Sequence, residues 1–434
     1  MRDRDTPPPA PGFWTLASVE GWERCAIQGA KSLLTLYLLT DLLAHGGQAC
    51  WGMGTLRAGI ERMTGPQPDI AFASQLYGLY GALTYLVLPL GGWIADRGAR
   101  RRPAMYLGAA LMATGLIALA THAWALVGMA AMIAGIGLLK GNLAAEVGAL
   151  RRDGGGERLF AAYLACLNGG AMLGPLIGGW LAQRLGFGAA FGAMAASMAV
   201  AMMLLRAAPR VTVARDPATA SGRIDWSRVF PTIVAVTLCF CAYEQLTNMV
   251  LVWARERVDL TVATLSVPPS WLAATDGLFT IILALGAYRF WPWLARRGLE
   301  PGAARKLALG GVAMTLAYSL FALLSLGGGR VGLGGPMIAI LLLDIGVVLA
   351  WPAALSIVTA GAPSARRGMM TGLFYLHGFV AHLVVGQLGT FYAVWRQPHF
   401  WLVHAALALA GAGVALTIRR GQATTTSTPA SASA

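Results

Sequence analysis

The sequence predicts an all-α integral membrane protein whose twelve transmembrane helices form two six-helix halves. Three observations carry that prediction. Apolar runs long enough to cross a bilayer as helices recur along the whole chain. Hydrophobic residues make up 57% of the chain and charged residues only 12%, about half the charged share of a soluble domain. Finally, a single long polar segment, 207–228, falls mid-chain with six apolar runs on either side.

The spans are predicted near 14–43, 71–95, 104–121, 124–149, 158–183, 187–206, 229–254, 268–293, 304–326, 333–358, 367–391 and 398–418. With the N-terminus in the cytoplasm, inner loops and tails hold 22 of the Lys and Arg residues and outer loops hold 7, span-edge residues counting with their loop. Arg24, Lys31, Lys140 and Arg289 fall within spans. This asymmetry places both termini in the cytoplasm, as expected of a multi-pass protein of a cell (inner) membrane. The net charge of +14 is then a topology signal facing anionic membrane lipid, and no nucleic-acid partner is expected. Residues 1–206 and 229–420 are the predicted halves, 207–228 a cytoplasmic linker and 421–434 a disordered tail. The first residues show no cleavable signal pattern. Four of the five cysteines lie in spans without zinc-site spacing, so neither a disulfide nor a metal is expected.

Span 1 holds the most informative stretch. Val19 to Leu38 places Glu20, Glu23, Arg24 and Lys31 along one helical stripe of an otherwise apolar segment. Ionisable groups at membrane depth face a bundle interior or a wet cavity, usually paired, which points to a coupled transporter. After span 1, residues 44–69 read as a polar outer loop. Span 2 carries Tyr80 and Tyr85 and runs into G-G-W-I-A-D-R-G-A-R-R-R at 91–102. Span 4 contains G-I-G-L-L-K-G-N, with Lys140 about a dozen residues before the inner loop, too deep for easy snorkelling. Span 5 contains Y-L-A-C-L-N-G-G, and a lone Asn168 there is more often a helix–helix hydrogen bond than a ligand contact. Glu244 lies deep in span 7, Asp276 in span 8 and Asp344 in span 10, which has a predicted break at Trp351-Pro352. His377 and His382 in span 11 are five residues apart and share a face poorly, so interior hydrogen-bonded histidines are favoured over a metal pair.

The spacing Gly92, Asp96, Arg97, Arg101 is similar to the loop between helices 2 and 3 of the major facilitator superfamily. E-G-W-E-R-C-A-I-Q-G in span 1 resembles the ExxER signature of one branch, the proton-dependent oligopeptide transporters. Further matches follow in family order: Lys140 in L-L-K-G-N, Asn168, Y-E-Q at 243–245, P-S-W at 269–271, L-S-I-V-T at 355–359 and the Met-Met-Thr-Gly of span 11. The resemblance implies proton-driven import of di- and tripeptides by alternating access. By position, it implies a proton-coupling network of Glu20, Glu23, Arg24 and Lys140, with Glu244 linked to it. Lys31 stands where the family usually has arginine and is expected to pair with Glu244 across the halves. Asn168 and Glu244 would hold the peptide's amino end, and Lys31 and Lys140 its carboxylate. Tyr80, Trp271 and Asp276 complete the implied binding site. No cofactor is implied, and a monomer suffices.

Three departures from the family stand out. Ile27 and Gln28 replace a usual tyrosine pair, Val347 replaces a helix 10 glutamate, and Asp276 replaces a usual asparagine. Lys140 thereby loses its usual partner, and Asp344 or Asp276 is expected to compensate. Five interior acids against three bases imply that some acids are protonated or offset by a cationic substrate group. Competing readings are a divergent carrier or exporter of another small zwitterion, and a substrate-binding membrane sensor. An enzyme would need a nucleophile–base pair or metal ligands at workable spacing, and the sequence offers neither.

Overall fold

A computed structural model describes residues 12–418, apart from 46, 48, 99–100, 153–156, 211–222 and 364–365. Most of the predicted linker and the whole of the predicted 421–434 tail, with the side chains of Asp96 and Arg97, therefore lie outside the described residues.

The first half comprises α1 (Phe13–Tyr37), the short α2 (Met53–Thr64), α3 (Asp69–Gly98), α4 (Arg101–Leu119), α5 (Ala125–Arg152), α6 (Glu157–Leu185) and α7 (Phe187–Ala207). The second comprises α8 (Trp226–Tyr243), the short α9 (Leu251–Arg257), α10 (Trp271–Ala295), α11 (Ala303–Leu324), α12 (Gly334–Ala360), α13 (Arg367–Gly389) and α14 (Gln397–Leu416). Eleven helical segments are long and apolar enough to cross a membrane, α8 and α9 counting as one. The twelfth is α1, set apart by its four charged residues.

Within the first half, α1 packs on α6 and α7, and α4 on α5 and α7. Small residues let these backbones approach. A Cβ on Gly108 would sit 2.7 Å from the Gly135 carbonyl oxygen, and one on Gly115 2.7 Å from that of Gly128. In the second half, α11 packs on α12 and α14, and α8 on α13 and α14. An aromatic cluster of Trp253, Tyr318, Phe321, Phe400 and Trp401 anchors that side. Between the halves, α3 lies along α13 and α6 along α10.

Four local features differ from the sequence prediction. The loop after span 1 contains α2, held by Arg57, which donates to Glu61, Asp69 and the Gln67 carbonyl. A two-residue hairpin, β1 (Thr261–Val262) and β2 (Leu265–Ser266), joins α9 to α10. The predicted break at Pro352 is absent, since α12 continues to Ala360; one missing backbone bond is tolerated inside a packed bundle. The break falls instead in span 7, where α8 ends at Tyr243 and a π-helical turn covers Leu246–Val250.

Candidate functional site: the charged face of α1 and its partners

The stripe on α1 divides between two groups of partners. Toward the N-terminal end, Glu23 is wholly buried, with the Lys140 Nζ of α5 at 3.5 Å and the Arg24 Nε at 3.9 Å. Neither contact has hydrogen-bonding geometry, so the Glu23 carboxylate is held by charge alone. Glu20 accepts a 2.5 Å hydrogen bond from the Tyr163 hydroxyl of α6. The side chains of Arg24 and Lys140 remain 26% and 19% exposed, so this network is not sealed inside the packed bundle.

One helical turn beyond Ile27, Lys31 crosses to the other half and meets Glu244 at 2.6 Å. The turn between α8 and the π-helical segment sets Glu244 at a break in its helix, the kind of local irregularity that clusters at functional sites. Around its carboxylate stand the Tyr85 hydroxyl at 3.3 Å and the His382 Nε2 at 3.5 Å. Glycines make that arrangement possible. A Cβ on Gly81 of α3 would lie 1.8 Å from the His382 ring, and one on Gly378 of α13 2.4 Å from the Tyr85 ring. The His382 Nδ1 contacts the Gly378 carbonyl at 2.9 Å, which fixes it as the donor and turns Nε2 toward Glu244. His377 similarly uses Nδ1 on the Phe374 carbonyl.

A third group lies in the second half alone. Asp276 of α10 accepts a 2.8 Å hydrogen bond from Tyr243, the residue before Glu244. Asp344 of α12 is wholly buried and neighbours Asp276.

The structure thus brings together Glu20, Glu23, Arg24 and Lys140, and pairs Lys31 with Glu244. Three expectations meet a different arrangement. Lys140 takes Glu23 as its partner rather than Asp276 or Asp344, whose carboxyl groups act on each other within the second half. Trp271, expected in the binding site, stands at the start of α10 and donates its indole N–H to the Leu176 carbonyl, so its polar atom joins the halves. Asn168 is half-buried and turns its amide back to the Leu164 carbonyl of its own helix. Tyr80 is buried against Met132, with Lys31 among its electrostatic neighbours.

Sequence reasoning passed over Tyr163, Tyr243 and His382 as partners. Their acids lie 143, 33 and 138 positions away in the chain, the last being 382 less 244, and nothing local marks such pairs. Arg102 of the basic loop also has a specific role. It pairs with Glu146 at 2.8 Å and donates to the Leu205 carbonyl, tying α4 to α5 and α7. Among the described residues, no cluster of His, Cys, Asp or Glu has the geometry to hold a metal ion.

At the end of the bundle that carries α2, hydrogen bonds join the halves. Ser74 donates to the Gly386 carbonyl at 3.1 Å, and Asn248 donates to Ser74 at 2.8 Å. Thr35 donates to Asn248 at 3.0 Å, and Gln75 to Gln387 at 3.2 Å. Backbones touch there as well, since a Cβ on Gly78 would fall 2.5 Å from the Gly386 Cα.

The family model of the Major Facilitator Superfamily matches residues 61–386. Peptide transporter YePEPT of Yersinia enterocolitica is 24% identical, over 85% of this chain and 85% of its own. A di-/tripeptide transporter of Lactococcus lactis subsp. cremoris is 23% identical, over 94% of this chain and 95% of its own. Among solved structures, a peptide transporter POT in complex with sulfate superposes with a TM-score of 0.79 at 23% identity, covering 94% of each chain. These similar proteins are transporters, not enzymes. The chain belongs to the major facilitator superfamily, and its full-length likeness is to the peptide transporters of the proton-dependent oligopeptide branch.

Proposed function

We propose that the protein is a proton-coupled symporter that imports di- and tripeptides by alternating access across the inner membrane. The observation that carries this reading is the division of the α1 stripe. Glu23 is balanced by Lys140 and Arg24 within one half, while Lys31 reaches across to Glu244. A carboxyl group that takes up a proton frees its cationic partner, and a substrate carboxylate can then occupy that cation. Substrate and proton therefore compete for the same charges, which is how two gradients become coupled. In this reading residues 1–206 and 229–420 rock about the site as two bodies joined by 207–228, the termini are cytoplasmic and the carrier works as a monomer. Lys31 and Lys140 hold the peptide carboxylate, while Glu244 and Asn168, after a side-chain turn, hold its amino end.

The test is dialanine uptake into proteoliposomes with and without an inward proton gradient, for wild type and Glu23→Gln. Gradient-driven accumulation that Glu23→Gln loses is the expected result. Absence of accumulation by folded wild-type protein overturns the peptide assignment. It would direct attention to Ile27, Gln28 and Val347, where the sequence departs from the pattern of the family it resembles, and to other small zwitterions.

A further inference from the structure

We infer that Asp276 and Asp344 form a second proton-binding site, in which two buried carboxyl groups share one proton that the carrier takes through its cycle. The inference rests on the proton-coupled reading above but concerns residues outside the α1 network.

The two side chains come from different helices, α10 and α12, of the second half. Asp344 is wholly buried, and neither of its oxygens has a hydrogen-bond partner. The charged group that acts on it is the carboxyl of Asp276, with the Thr280 hydroxyl also beside it, outside hydrogen-bonding geometry. Asp276 is 8% exposed and accepts from the Tyr243 hydroxyl. The other charges that act on the pair are Glu244, just past α8, and Lys31 of α1, and those two already meet each other at 2.6 Å. No free cation therefore balances the aspartates among the described residues.

Two unbalanced carboxylates in contact inside a low-dielectric bundle repel strongly, and a single proton between them removes that cost while supplying the missing donor. A bulkier cation fits the observations less well. An ammonium or hydrated metal ion could not reach the oxygens of Asp344 at zero exposure, whereas a proton arriving at Asp276 can pass directly to its neighbour. Proton balance is simple: the dyad carries two negative charges when empty and one when loaded, and the proton enters and leaves through Asp276. Because Tyr243 precedes Glu244 in the chain, that change of charge is felt beside the cross-half ion pair.

Infrared spectroscopy of the purified full-length protein in nanodiscs reads the carbonyl stretch of protonated carboxyl groups without any substrate. Wild type is compared at neutral pH with Asp276→Asn, Asp344→Asn and the double variant. A shared proton predicts that each single variant loses the same part of the band and that the double variant loses no more. An unchanged band in the single variants, or a double loss twice the single one, overturns the shared proton. Asp276→Asn installs the residue usual at this position in the resembling family, so it decides the matter if Asp344→Asn does not fold. In proteoliposomes, the ratio of protons to substrate in Asp276→Asn should fall by one; an unchanged ratio overturns the proposal that this proton is carried. Should wild type fail to take up dialanine, the peptide reading falls while the infrared result still decides the dyad.

Discussion

Lys31 and Glu244 have each given up most of their water, and each is tolerated at span depth because of the other. Removing one partner of a buried pair typically costs about 3–5 kcal/mol, whereas replacing both with apolar groups of similar volume is often neutral. With Lys31 still 15% exposed, the lower end of that range applies. Glu244→Ala should therefore lower the thermal stability of the purified protein by about 3 kcal/mol. The double variant Lys31→Met, Glu244→Leu should regain most of that loss while remaining inactive in uptake. A double variant as unstable as the single one would mean that the pair is not what balances these charges. The same reasoning explains why the α1 charges stood out in the sequence. Ionisable residues in an apolar stretch demand partners, so Glu20, Glu23, Arg24 and Lys31 marked the site before any fold was known. Which partner each would take was not legible locally. Lys140 has Glu23 in reach, and the distant Asp344 turned out to face another carboxyl group.

At the scale of elements, α3 and α13 interlock through reciprocal gaps, Gly81 receiving the His382 ring and Gly378 receiving Tyr85. Filling such a gap forces a side chain or backbone to shift, at a typical cost of about 1–3 kcal/mol. Gly81→Ala should displace His382 from Glu244 and impair uptake. Gly192→Ala, with nothing within 4 Å of its Cβ and a helical position, should keep full uptake and gain up to about 1 kcal/mol. Uptake and thermal stability measured side by side check both; an active, stable Gly81→Ala would mean the interlock does not position His382. Helix existence and order were legible because twelve long apolar runs leave little choice of architecture. The irregular pieces were not. The break at Glu244 occurs within a stretch that is apolar enough on average to read as one span, and hydropathy cannot separate a π-helical turn from an α-helix. Conversely, Pro352 looked like a break and is accommodated, because the bundle around α12 supports the interrupted turn. The α2 helix escaped notice because Met53–Thr64 is short and mixed in polarity.

For the whole molecule, the consequence lies in where the halves touch. Hydrogen bonds from Thr35, Ser74, Gln75 and Asn248, together with the Gly78–Gly386 approach, hold the α2 end shut. Comparable packing does not join α5 to α12 among the described residues, although both helices carry buried charge toward the interior. A carrier in this arrangement admits substrate from the α2 side only after that end opens, so a bond placed there should stop the cycle without disturbing the charged site. Gln75 and Gln387 meet side chain to side chain at 3.2 Å and supply the place for it. The native cysteines do not compete, since four are buried and Cys166 is half-buried on α6. Gln75→Cys with Gln387→Cys should transport normally when reduced, fall to background on mild oxidation and recover with reductant, while either cysteine alone should be indifferent to both treatments. Continued uptake by the fully cross-linked protein would mean that α3 and α13 stay together throughout transport. The moving contact would then be the α6–α10 crossing, where Trp271 and Ser270 grip the carbonyls of Leu176 and Pro175.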